Sequence, residues 1–163
     1  RSPSRGLGDV YKRQDAHHIT APHPEGLGAK NVMNVILNEG KINKGEVDYI
    51  NVHGTSTPLG DIAETKAILS LFKEEAYNLN ISSTKSMTGH LLGAAGVIEA
   101  IACIMAVNQN IVPPTINHFT KDESIDSKLE LTFNVPQERE VNHSISNTFG
   151  LAVTMALFYL KSL

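Results

Sequence analysis

The 163-residue chain is 41% hydrophobic, enough to bury a core, and it fits one domain or a large piece of one. A formal net charge of −3 with no basic cluster gives no electrostatic footprint for nucleic acid or a membrane surface. The single cysteine, Cys103, excludes an internal disulfide framework and fits a reducing, cytoplasmic compartment, and no apolar run reads as long enough to span a bilayer.

Residues 1–14, RSPSRGLGDVYKRQ, lack an initiator Met, an apolar centre and an amphipathic period. They read as a leader foreign to the rest of the chain, either a translated adaptor or a disordered linker. From Asp15, DAHHITAPHPEG is a loop in which Pro22 and Pro24 enforce extended backbone. Residues 29–39 form a helix with Val32, Val35, Ile36 and Glu39 at helical spacing and Gly40 as its C-terminal cap. A β-branched strand comes next, at 47–52. The second helix, 61–72, takes Asp61 as N-cap with Glu64 three residues on, and its apolar stripe is Ile62, Ala63, Ile68, Leu69 and Phe72. After a strand at 79–82, the helix at 93–107 is hydrophobic nearly all round and is therefore expected to be buried. Strands are predicted at 111–115, 129–133 and 144–148. This alternation predicts an α/β fold, a mostly parallel sheet with helices on both faces.

Two segments carry chemistry, VHGTSTPLGD at 52–61 and STKSMTGHLLGAAG at 83–96. Each comes after an apolar strand and precedes a helix, which puts His53 and His90 at strand-to-helix corners, where α/β proteins build their sites. Two imidazoles delivered there suit donation of N–H bonds to one developing oxyanion. A satisfied core histidine is the simpler reading for either ring alone. His17, His18 and His23 offer a metal alternative, but adjacent histidines point apart in extended chain and no Cys or carboxylate joins them, so no metal site is expected.

HGTSTPLGD and TKSMTGHLLGAAG, together with DAHHITAPHPEG and NTFG, resemble the C-terminal half of elongating β-ketoacyl-[acyl-carrier-protein] synthases, of the synthase II type in particular. The resemblance covers 15–150. It implies the C-terminal half only of a thiolase-like fold, and a parent enzyme that extends acyl chains by decarboxylative Claisen condensation of malonyl-acyl carrier protein. His53 and His90 would complete a Cys-His-His triad, holding the malonyl thioester oxygen as carbon dioxide leaves. To donate while keeping its proton, each ring should stay neutral with its other nitrogen accepting a local bond. Lys85 would pair with Glu99 and with Asp61 as a charge network behind the histidines; the alternative is a purely structural ion pair, and for Glu64 a cap alone. Thr55 and Thr57 would offer hydroxyls to the amides of the phosphopantetheine arm, with His18 and Thr20 at the substrate entrance. Phe149, Gly150 and Leu151 match the start of the acyl-gate and oxyanion loop, although Leu151-Ala152-Val153 replaces the family's Phe-Gly-Gly.

Cys103 lies mid-helix among apolar residues and is not the family nucleophile, so the chain by itself is expected to be inactive in condensation. The resemblance implies acyl carrier protein as partner, a homodimer in the complete enzyme, and no cofactor beyond the carrier's own phosphopantetheine. A polyketide-type ketosynthase and a non-catalytic chain-length-factor-like subunit are the competing readings. The tail, 151–163, departs abruptly from the family and reads as an apolar strand. One synonymous coding of 150–163 yields GFGGHNGVVLFKKF, the family's ending, when a single T is inserted after the first codon, which suggests a one-base frameshift.

Overall fold

A computed structural model describes residues 22–149 and 156–161. The leader 1–14 and the candidate residues His18, Thr20, Gly150 and Leu151 lie outside the described residues. Helix α1 (Leu27–Gly40) buries Ala29, Val32, Met33 and Leu37, one stripe at three- and four-residue spacing. Its end differs from the sequence expectation. Gly40 stays helical, and the left-handed closing residue is Lys41, at φ 54°. The cause is the next residue: Ile42 returns its N–H to the Leu37 carbonyl at 2.9 Å and packs against the core, which sets the turn one position later.

Strand β1 (Tyr49–Asn51) leads through the first histidine segment into α2 (Pro58–Phe72). This helix begins three residues earlier than expected, because Pro58, with its preset φ and no N–H to satisfy, starts the first turn. Thr57 therefore takes the N-cap position. Asp61 lies inside the first turn, its N–H on the Thr57 carbonyl at 3.0 Å, and Glu64 is buried instead of capping. Strand β2 (Asn80–Ser82) runs into a short helix, α3 (Lys85–Thr88), then a 3-10 turn and α4 (Ala95–Gln109).

The remaining strands are β3 (Ile111–Val112), β4 (Glu130–Leu131), β5 (Gln137–Glu138), β6 (His143–Thr148) and β7 (Ala156–Lys161). The main sheet has the order β4-β2-β1-β6-β7. Its first four strands are parallel, and β7, within the divergent tail, closes antiparallel on β6. The segment expected as a main-sheet strand at 111–115 divides instead: β3 pairs antiparallel with β5, and Thr115 bridges Phe133.

Alternation along the strands sorts the core. Ile50, Ile81 and Ile145 face α1 and α2, packing with Met33, Leu37, Ile68 and Phe72. Tyr49 faces the other way, with Cys103, Ala106 and Val107 of α4. Helices thus cover both faces, as the sequence pattern predicts. The expectation that α4 is buried all round is overturned: Val97, Ile101 and Ile104 are 60%, 49% and 42% exposed, because only one side of the helix meets the sheet. Leu92–Gln109 also has the 18-residue length and a mean hydropathy of 1.5 that would allow a membrane span, which corrects the length reading from sequence. One flank of that stretch holds buried Glu99 and Cys103 instead.

Candidate active site

Three neighbouring parallel strands, β2, β1 and β6, end on the same side of the sheet, and the candidate residues lie just beyond those ends. His53 leaves β1 two residues after Asn51, and Phe149 comes directly after β6. His90 comes after β2 by way of α3 and Gly89, whose φ of 72° turns the chain toward His53. Asn51 ties the first two ends together, donating from Nδ2 to Thr84 Oγ1 at 2.9 Å. Gly54 is needed for close approach: a Cβ there would meet the Ser83 Cβ at 2.8 Å, while the Ser83 hydroxyl donates to the Gly54 carbonyl at 2.7 Å.

The two imidazoles meet edge to face, with centroids 5.4 Å apart and planes at 86°. Each accepts a backbone N–H at Nδ1, His53 from Phe149 at 3.1 Å and His90 from Leu92 at 3.2 Å. An acceptor at Nδ1 leaves the proton on Nε2, so each ring presents a donor on the side away from its tether. Leu92 reaches His90 by adopting a left-handed φ of 50°, backbone strain concentrated at this corner. Burial, then the Lys85 cation and His90, lower the His53 pKa to about 3, so this ring is neutral across the physiological range. Phe149 lies against His53, ring centroids 5.0 Å apart.

Behind the rings, Lys85 of α3 forms a buried ion pair with Glu99 of α4. The other Glu99 oxygen accepts the Thr148 hydroxyl at 2.6 Å. Asp61 is not part of this pair, contrary to the reading from sequence. Its carboxyl sits beneath the 55–57 loop, raised by burial and drawn back by the N–H groups of Thr57, Ser56 and Thr55. Starting α2 at Pro58 places Asp61 at that loop and turns Glu64, one helical turn on, toward the histidines.

Glu64 is the residue that sequence reasoning undervalued. It is 3% exposed and accepts N–H bonds from His53 at 3.0 Å, Gly54 at 3.1 Å and Asn147 Nδ2 at 2.9 Å. Burial pushes its carboxyl up to about 7, against the pull of those donors and of Lys85. The available signal was positional: Glu64 occupies the same helix face as Ala63, Ala67 and Ile68, where a carboxylate needs dedicated partners. Asn147 and Thr148 entered the sequence reading only as part of the NTFG motif, without roles of their own, because a polar residue in a strand gives no such contrast.

Thr55 and Thr57 stand at the outer edge, their hydroxyls 3.2 Å apart and hydrogen-bonded to each other. A cavity of about 920 Å³ opens beside them, lined by Thr55, Glu64, Lys85 and His90 and faced by His118 and Ile125. Its size suits an extended small-molecule arm. Among the described residues no cluster of three or more His, Cys, Asp or Glu could hold a metal ion. Cys103 is fully buried against the sheet, and burial pushes its thiol up to about 12, so it is not a nucleophile.

A largely parallel sheet that brings two Nδ1-tethered imidazoles and a buried lysine–carboxylate pair to one edge is a thiolase-like architecture. The chain belongs to the β-ketoacyl synthase family: the family model "Beta-ketoacyl synthase, C-terminal domain" matches residues 7–119. It is similar to 3-oxoacyl-[acyl-carrier-protein] synthase 2 of Staphylococcus aureus, 44% identical over 147 residues, covering 90% of this chain and 35% of the relative. Among solved structures, it is similar to a type II polyketide ketosynthase in complex with its acyl-carrier protein (TM-score 0.87, 30% identity, 92% of this chain and 36% of that one). It is also similar to a ketosynthase in complex with its chain length factor from Xenorhabdus doucetiae (TM-score 0.77, 37% identity, 93% and 37% covered). The chain thus spans about a third of the length of the relatives it matches.

Proposed function

We propose that this chain supplies the enolate-forming part of the site of a 3-oxoacyl-[acyl-carrier-protein] synthase of the synthase II type. The observation that carries the reading is the pair of Nδ1-tethered imidazoles, 5.4 Å apart, each of which keeps an Nε2–H donor to offer. When malonyl thioester loses carbon dioxide, the electrons of the breaking C–C bond move onto the thioester oxygen. His53 and His90 hold that oxygen by two N–H bonds, a contribution of about 3 kcal/mol each in sites of this kind. The resulting enolate carbon attacks an acyl thioester, and a thiolate leaves. The acyl group's cysteine lies outside this chain, since Cys103 is buried.

On this reading Lys85 balances the buried Glu99 and keeps a cationic field on the rings. Thr55 and Thr57 meet the pantetheine amides along the cavity edge. The partner is acyl carrier protein, loaded with acyl and malonyl groups, and the carrier's pantetheine is substrate, so no resident cofactor or metal is required. The complete enzyme works as a cytoplasmic homodimer. The 44% identity to a 3-oxoacyl-[acyl-carrier-protein] synthase 2 supports the fatty-acid reading.

The test replaces the matching segment of the S. aureus enzyme with residues 22–149 and measures condensation of acyl- and malonyl-acyl carrier protein. The chimera condenses, H53A and H90A in it each lose at least a hundredfold in kcat, and the 163-residue chain alone forms no carbon–carbon bond. Full turnover by the double histidine variant would remove the proposal.

A further inference from the structure

The last residues of β6 and the one after it each reach a different part of the site. Asn147 donates to Glu64, which holds the backbone of His53 and Gly54. Phe149 donates its N–H to His53 Nδ1. Between them, Thr148 donates its hydroxyl to Glu99 Oε2 at 2.6 Å, while Glu99 Oε1 pairs with Lys85. We propose that Thr148 is a positioning residue, whose hydroxyl ties the end of β6 to the Lys85–Glu99 pair and so holds the Phe149 N–H on His53. The inference rests on the enolate-forming role of His53 and assigns a function to a side chain that touches neither substrate nor imidazole.

The geometry makes the tie specific. Glu99 is 2% exposed and accepts from Lys85 on one oxygen and Thr148 on the other, so the carboxylate is fixed at both ends. α4 and β6 lie side by side, and the Thr148 hydroxyl anchors the strand end to the helix at the residue before Phe149. A hydrogen bond to an imidazole nitrogen weakens steeply with misalignment, so freedom at residue 148 is felt at residue 149. Lys85, His90 and Glu64 are the charged and titratable groups bearing on the His53 segment, and the tie leaves their identities untouched.

Long-range ¹H–¹⁵N spectra of the 163-residue chain at pH 7 read the His53 tautomer without substrate. The wild type holds the Nε2–H form about tenfold or more over Nδ1–H, the weight of one retained hydrogen bond. T148V, which keeps the volume and removes the donor, lowers that ratio to threefold or less, and T148S restores it. If T148V does not fold, T148C replaces it: its thiol is a weak donor, and its ratio falls between those of serine and wild type on one side and an even mixture on the other. An unchanged tautomer in T148V, or failure of T148S to restore it, overturns the proposal. Because no turnover is measured, that failure is distinct from failure of the ketosynthase reading, which the chimera tests.

Discussion

Glu64 sets a measurable dependence of stability on pH. Its carboxyl is fully enclosed, and its folded-state pKa is raised from 4.5 to about 7. The folded state therefore binds a proton that the unfolded chain releases between those values. The stability this confers is fully present below pH 4.5 and is lost as pH rises through 7, about 3 kcal/mol in total at 25 °C. His53 acts in the opposite sense. Its pKa is depressed from 6.5 to about 3, so it favours the folded state above pH 6.5 and loses that contribution as pH falls toward 3. Between pH 4.5 and 6.5 the two slopes oppose, and the wild-type profile there is shallow. E64Q removes one slope. It also turns an amide NH₂ toward the Gly54 N–H, a pH-independent cost of about 1–3 kcal/mol. Urea denaturation at pH 5, 6, 7 and 8 gives the stability difference between wild type and E64Q. That difference changes by about 2–3 kcal/mol between pH 5 and 8, to the wild type's disadvantage as pH rises, if Glu64 is the group responsible. Parallel profiles for the two proteins would refute the reasoning.

The same geometry dictates other outcomes. E99Q or K85M leaves its partner buried without a counter-charge and costs about 3–5 kcal/mol in urea unfolding, while K85M/E99L recovers most of the loss. Recovery absent from the double variant would mean the pair contributes nothing as a pair. Cys103 reacts with a thiol reagent in 6 M urea but not in the native protein, and prompt native labelling would contradict its burial. I101E or I104E, on the exposed face of α4, changes unfolding stability in urea by no more than about 0.5 kcal/mol, and a larger loss would mean that face is packed. Sequencing the DNA that encodes 150–163 checks the frameshift: a codon set incompatible with the shifted reading eliminates it.

Much of the scaffold was legible because the signals are local. A β-branched run marked β1 and short segments between turns and helices marked β2 and β6, and the histidines lie beyond strand ends as their motifs suggest. What stayed hidden depends on partners distant in sequence. The burial of α4 was misread because a helix apolar on every side gives the same pattern whether one face or all of it is covered. Asp61 and Glu64 exchanged expected places for a smaller reason: three residues at the start of α2 decide which carboxylate faces the loop and which faces the rings. Thr148 is visible in the sequence only as a letter of NTFG, and its partner Glu99 is fixed only when α4 is folded against β6.

The parallel register of β2, β1 and β6 works as a ruler. The pairing of β2 with β1 brings the two histidine segments to one edge of the sheet, where the turn at Gly89 completes the approach and leaves the ring centroids 5.4 Å apart. Loops on the cavity wall, such as 116–127, can lengthen or change composition without altering that pairing. A one-residue slip of β1 against its neighbours would instead carry His53 to the opposite face of the sheet. An architecture of this kind separates what can vary from what cannot: the cavity walls are free to diverge, while the register that delivers both histidine segments to one edge is written into the sheet.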